Sequence, residues 1–255
     1  MRISKVFFTC LVFLFLYAPI AVLVVNSFNK SKYGHKWTGF SWKWYEKLLN
    51  NDALLNAFYN SLTVAVLAAT AAVIVGSFMA IAIYRYQFKL KKVTSSALFI
   101  VMMSPDIVLA ITFLTLFVAL GAHLGFWTIL LAHTTFCLPF VVITLFAQLR
   151  GLDPNIIEAA RDLGASESAI VVKIILPLIS SAIAGAWLLS FTLSLDDVII
   201  SSFVTGPEFE VLPIRVFSMV KVGVSPEVNV LATILLLFSI IALISFSLLT
   251  KRKPS

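Results

Sequence analysis

The sequence predicts an all-α polytopic membrane protein with six transmembrane helices, on three observations. Hydrophobic residues make up 60% of the 255, charged residues only 12%, and the mean hydropathy is +1.02. Soluble domains carry roughly half and roughly a quarter of these classes. Six apolar runs reach the length of about 20 residues that a membrane-spanning helix needs. Alternation at the strand period is absent from the runs, which argues against a transmembrane β-barrel. The same composition excludes disorder, a fibrous repeat and a secreted disulfide scaffold. Cys10 and Cys137 lie in separate apolar runs and read as small buried hydrophobes rather than as a bridge.

The first run, from Val6 to about Val25, follows Arg2 and Lys5 as in a signal peptide. It is longer than a signal core, and no small-residue cleavage site follows, so it reads as a retained span. Five more runs cover about Leu62–Tyr84, Ser96–Leu120, Phe126–Leu149, Leu178–Val204 and Val228–Thr250. An even number of spans puts both termini on one side. With that side cytoplasmic, twelve Lys and Arg lie inside and seven outside, among them Lys30, Lys32, Lys36, Lys43 and Lys47. The bias places both ends inside. The net charge of +7 therefore reads as membrane topology, since no basic stripe interleaved with aromatics is present for nucleic acid.

This division gives a first helix over 1–28, an external segment over 29–60, a five-helix core over 61–250 and a cytoplasmic tail over 251–255. The external segment carries Trp37, Trp42, Trp44 and Tyr45, which suit a short helix along the membrane–water interface. Trp44 is also placed at the entrance as a candidate cation–π contact. A second external segment, Gly206–Glu227, contains Pro207, Pro213 and Pro226 and is expected to be mostly loop.

The long cytoplasmic segment, 150–177, is the most informative. Asp153-Pro154 is a helix start, with an N-cap oxygen and a proline at the first helical position. Gly164 is the stop, because a left-handed C-terminal cap favours glycine. Ile156, Ile157, Ala160 and Leu163 form the expected apolar face. Ser166 caps a second short helix ending near Leu176-Pro177.

The residues match more than amphipathicity. Glu158-Ala159-Ala160, three residues, Gly164, nine residues, Ile174, one residue and Leu176-Pro177 form a spaced pattern. It resembles the coupling loop of permease subunits from ATP-binding-cassette importers. The stretches Val25-Asn26-Ser27-Phe28, Val101–Asp106, Phe191–Asp197 and Ser202–Pro207 extend the likeness over nearly the whole hydrophobic region beyond the first span. Together they resemble the second permease subunit (the C subunit) of bacterial spermidine/putrescine importers, of the binding-protein-dependent type I permease family. The resemblance implies the type I importer permease fold, inner-membrane localisation and polyamine transport. It implies that the loop, Glu167 included, docks into a cleft of a cytoplasmic ATPase. It also implies two ATPase copies, a second homologous permease chain and a soluble extracytoplasmic binding protein. No Gly-x-x-x-x-Gly-Lys-Ser/Thr motif is present, so the chain binds no cofactor of its own, and ATP and Mg belong to the partner ATPase.

Three acids fall inside spans: Asp106, Asp196 and Asp197. A carboxylate at mid-bilayer costs a few kcal/mol even on mild insertion scales, so such residues need a partner or a polar pathway. No Lys or Arg lies inside a span to pair with them. Asp106 is expected about 15 Å deep in span three, after Pro105, which frees a carbonyl. Asp196 and Asp197 differ by about 100° around a helix, so at most one faces a cavity unless the helix is broken. Carboxylates and freed carbonyls suit a cargo with several ammonium groups, and polyamines are such cargo. Ser194, Ser201 and Ser202 are candidates to line the pathway, although span serines often bond only the backbone. His123 and His133 lack metal-ligand spacing and read as hydrogen-bonded structural residues. Gly121 and Gly125 fall at an expected loop. A secondary transporter or channel would explain the acids but not the loop pattern. An importer of another organic cation or of a metal chelate keeps the class and changes the cargo.

Overall fold

The computed structural model describes residues 2–32, 36–222 and 226–250; the expected tail, 251–255, lies outside the described residues. Among these the fold is helical, with one isolated bridge between Asn29 and Phe40. The helices are α1 (Arg2–Ser27), α2 (Lys43–Leu49), α3 (Asp52–Arg85), α4 (Lys91–Met103), α5 (Asp106–Ala119), α6 (Phe126–Arg150) and α7 (Pro154–Asp162). They continue with α8 (Glu167–Ile170), a π-helical turn over Val171–Ile175, α9 (Leu176–Leu178), α10 (Ser180–Leu195), α11 (Ile199–Val204), α12 (Leu212–Val222) and α13 (Pro226–Thr250). They group into two compact units, Met1–Asn56 with Arg215–Ser255, and Ala57–Ile214.

In the first unit α1 and α13 pack together, and α13 also meets α2. Phe7, Phe8, Leu14 and Phe15 of α1 stay exposed, as expected of a helix whose solvent is lipid. The short helix expected in the external segment is α2. Ahead of it Asn29 organises the chain. Its Oδ1 accepts from the backbone of Ser31 and Thr38, both at 3.1 Å, and its Nδ2 donates to Lys36 O at 2.9 Å. Phe28, Phe40, Trp42 and Tyr45 then form one ring cluster.

The second unit is built on small residues of α3. Ala65, Ala69, Ala72, Gly76 and Ala80 recur three or four apart, and the four alanines are fully buried. A Cβ on Gly76 would sit 2.6 Å from Val141 Cγ1 of α6, so the absence of a side chain lets the two helices approach. Val141, Val142, Leu145 and Leu149 of α6 fill the same core with Ile170, Ile175 and Ile179.

Among the described residues, three helices, Val6–Ser27, Asp52–Arg85 and Phe126–Arg150, are long and apolar enough to span unaided. The sixth expected run falls in the 25-residue α13. The other two are not single rods. The run expected as span three is α4 and α5, bent by 114°, and the run expected as span five includes a 69° bend between Leu178 and Ser180. The first break lies at Ser104-Pro105. Proline pushes the preceding residue out of the helical region, and Ser104 is extended, at φ −72°, ψ 137°. The second follows Pro177, which lacks an N–H, and the π-helical turn before it, where Leu176 N bonds Val171 O.

Two expected boundaries also move. α3 starts at Asp52, ten residues before its apolar run, because Asn51 Oδ1 accepts from Leu54 N at 3.2 Å and starts the helix early. Its 34 residues extend about 51 Å, longer than the roughly 30 Å hydrocarbon layer. Gly206–Glu227 is not mostly loop, since α12 occupies half of it. Pro213 is the second residue of α12, where the missing N–H has no helical partner to lose.

Candidate functional site

The run expected as span five breaks a second time, at Asp196–Val198, between α10 and α11. The break resolves which acid faces where. Asp196 closes α10 and is exposed. Asp197 turns inward, with its side chain 7% exposed. Its Oδ2 accepts from Ser201 N at 2.7 Å and its Oδ1 from Ile200 N at 3.3 Å, so it satisfies free amides at the start of α11.

An internal partner does exist, contrary to the count of Lys and Arg. His133, in the middle of α6 and buried, places Nε2 3.4 Å from Asp197 Oδ2. Its Nδ1 meets Ser194 Oγ at 2.7 Å and its Nε2 meets Ser201 Oγ at 3.1 Å. Ser61 of α3 lies beside the same gap, and its Oγ accepts from Leu212 N at 2.7 Å. Ser194, Ser201 and Asp197, all candidates from the sequence, thus share one polar cluster with His133, to which the sequence assigns only a structural role. Ser202 instead turns back on its own helix, donating to Val198 O. The sequence signal for the cluster is a lone histidine in an apolar run, a titratable partner that a count of Lys and Arg leaves out.

Asp106 is not deep in a continuous rod. It is the first residue of α5, directly after the Pro105 break, and it is exposed. A carboxylate there complements the free amides and dipole of the helix start. α5 and α11, which follow the breaks near Asp106 and Asp197, pack against each other.

Trp44 has a structural contact where an entrance contact was expected. It is 4% exposed, and its indole N–H donates to Asn29 O at 2.8 Å. Lys43 and Lys47 place their ammonium groups 5.2 and 5.7 Å from the ring centroid, so the cations near this ring belong to the chain itself. Trp37 and Trp42 are the exposed tryptophans of the segment.

In the loop, Asp153 accepts from Asn155 N at 2.9 Å and starts α7 at Pro154. α7 ends in a Schellman motif: Gly164 N bonds Arg161 O at 2.8 Å and Ala165 N bonds Ala160 O at 3.0 Å. Gly164 sits at φ +79°, the left-handed region. Ser166 Oγ accepts from Ala169 N at 3.3 Å and caps α8. The apolar face divides. Ile157 and Ala160 pack on the core with Ile174 and Leu176, whereas Ile156 and Leu163 are exposed, Leu163 at 89%. Leu163 lies past the last helical turn, so its side chain leaves the face that periodicity assigned it. Glu158, Ala159 and Pro177 are exposed as well.

Glu167 ties the loop to the end of α3. Its Oε2 meets Arg85 Nη2 at 2.5 Å, and its Oε1 accepts from Arg161 Nη2 at 2.9 Å and Nε at 3.1 Å. The Arg161 hydrogen bond, with Arg85 adding to it, holds the Glu167 carboxyl below the usual glutamate range. The Arg85–Glu167 contact joins residues 82 apart, and no local pattern indicates it.

Apolar helices with exposed faces, two broken spans carrying acids and a compact loop between spans define a polytopic transport protein. Residues 72–253 match the family described as "Binding-protein-dependent transport system inner membrane component", and the chain belongs to that family. It is a multi-pass inner-membrane permease component, a transporter subunit rather than an enzyme. It is 56% identical over 252 residues to the spermidine/putrescine transport system permease protein PotC of Escherichia coli (strain K12), covering 99% of this chain and 96% of that protein. It is 46% identical over 231 residues to the putrescine transport system permease protein PotI of the same strain, covering 88% and 82%. Its fold is similar to that in a crystal structure of a bacterial ABC transporter involved in the import of the acidic polysaccharide alginate. That likeness has a TM-score of 0.73 at 18% identity, covering 99% of this chain and 97% of the other.

Proposed function

We propose that this chain is the second permease subunit of an ATP-driven importer that carries spermidine and putrescine across the cytoplasmic membrane. The observation that carries this reading is the 56% identity, over almost the full length, to a spermidine/putrescine permease. Both termini are cytoplasmic, 29–60 and 206–227 face outward, and 150–177 faces inward. A cytoplasmic ATPase dimer binds ATP and Mg, a second homologous permease completes the pathway, and a soluble binding protein delivers the polyamine. Asp106, Asp196, Asp197 and Ser194 serve the pathway. The three carboxylates offset the desolvation of each ammonium by charge-assisted hydrogen bonds. The exposed Ile156, Leu163, Glu158 and Ala159 offer the ATPase an apolar surface with one charge, and closure of the ATPases biases the two access states through it.

Uptake of labelled spermidine tests this reading. A strain lacking the chain should not accumulate spermidine, and the restored chain should return uptake that ATP depletion abolishes. Uptake that persists under ATP depletion and follows the proton gradient would move the chain to a secondary transporter.

Coupling has its own test. A side chain in the left-handed region costs about 1–2 kcal/mol. The space around Gly164 is open, with nothing within 4 Å of a built Cβ, so Gly164→Val reshapes the turn without a clash. Gly164→Val and Glu158→Lys should insert at normal abundance while spermidine-stimulated ATP hydrolysis falls. Gly164→Asn, which tolerates the conformation, should keep most of the activity. Full uptake in both Gly164→Val and Glu158→Lys refutes the coupling role.

A further inference from the structure

Asp197 cannot meet cargo in the observed arrangement, because its side chain is buried against His133 while its neighbour Asp196 is exposed. The ring of His133 is held on both sides. Ser194 of α10 lies at Nδ1, and Ser201 of α11 and the Asp197 carboxylate lie at Nε2. A hydroxyl serves either as donor or as acceptor. The two serines therefore accommodate the ring in its neutral and its protonated form. The Asp197 carboxylate, 3.4 Å from Nε2, is a charged group set directly beside the ring.

We infer that His133 is a positioning residue, the exchangeable counter-cation of Asp197. Protonated, it holds the carboxylate inward. An arriving ammonium group takes over that charge, the Nε2–H bond breaks, and the proton leaves to water. The carboxylate is then free to turn to the cargo, and Ser194 and Ser201 keep the neutral ring in place. Charge balances, since one cation replaces another beside one carboxylate. The other groups around the ring are Ser61 from α3, and Cys137 one turn along α6, whose thiol points to Ser190 O at 3.5 Å. Asp196 lies on the exposed side of the same break. This inference rests on the reading of Asp197 as a cation-binding acid.

The test uses the assembled importer in proteoliposomes with radiolabelled spermidine, across the range in which histidine titrates. Proton and ammonium compete for one carboxylate. The wild-type KM should therefore rise as pH falls, by up to tenfold per unit on the acid side, while kcat changes little. His133→Gln retains hydrogen bonding without a charge and should flatten that dependence. His133→Lys carries a fixed cation and should keep KM high throughout. A wild-type KM that does not change with pH overturns the inference without any variant, as does a His133→Gln profile equal to wild type. Asp197→Asn separates the two claims. If it transports with wild-type KM, Asp197 does not bind the cation at all. If it raises KM while His133→Gln leaves the pH profile unchanged, only the role of His133 fails.

Discussion

Asp197→Asn should lower spermidine uptake roughly ten- to a hundredfold at normal membrane abundance. A hydrogen bond to a charged group is worth about 1.5–3 kcal/mol, and about 1.4 kcal/mol is a factor of ten. The substitution removes charge and keeps an acceptor. Asp197 takes the Ile200 and Ser201 amides on separate oxygens, at 3.3 and 2.7 Å, and Asn, with one acceptor oxygen, keeps one of the two, so the start of α11 is weakened rather than lost. Asp196→Asn and Asp106→Asn should also reduce uptake, and neither acid is buried in the fold. Asp197→Glu should retain part of the activity. Docking to the ATPase should be unchanged in all of them, because the loop is untouched. If Asp106→Asn, Asp196→Asn and Asp197→Asn all transport at the original rate, the carboxylates do not guide the cation.

Gly206→Ala should deplete the protein from the membrane. Gly206 sits at φ +72°, and a Cβ there would lie 2.5 Å from Leu124 O and 2.8 Å from Leu124 C. Those atoms are backbone and cannot swing aside. The adjoining turn is further held by the Thr205 hydroxyl, which donates to Phe209 O. Gly121→Ala is the internal control. Its φ is +66°, but nothing lies within 4 Å of the added atom. It should incur only the conformational cost, about 1–2 kcal/mol. Quantitative immunoblotting of membranes should show Gly206→Ala several-fold below Gly121→Ala. Equal amounts would mean that the Leu124 backbone yields.

Local signals in the chain mark both ends of the loop helix. Asp153-Pro154 starts a helix and Gly164 ends it, because caps and left-handed turns depend on residues within a few positions. The facing of Asp196 and Asp197 is instead set by a helix break, where the helical spacing of about 100° no longer applies. Local reading failed where proline acts in two ways. Pro105 breaks a run that hydropathy joined, whereas Pro213 sits inside the first turn of a helix that a count of prolines made a loop. Hydropathy averages over a window and does not register which backbone amides are already free.

Composition and charge placement, which lie in the sequence alone, determined that this protein lives in lipid, roughly where it crosses, and which acids need explaining. Transfer free energy is additive along the chain, so it can be summed without knowing the fold. Tertiary structure decided the partners. His133 reaches Asp197 across 64 positions and Arg85 reaches Glu167 across 82, and Gly76 lets α6 approach α3. Each is a pairwise contact between segments whose relative positions follow from the packing of whole helices. A hydrogen bond or ion pair falls away within ångströms. No periodicity or composition within one helix carries information about a group that close on another.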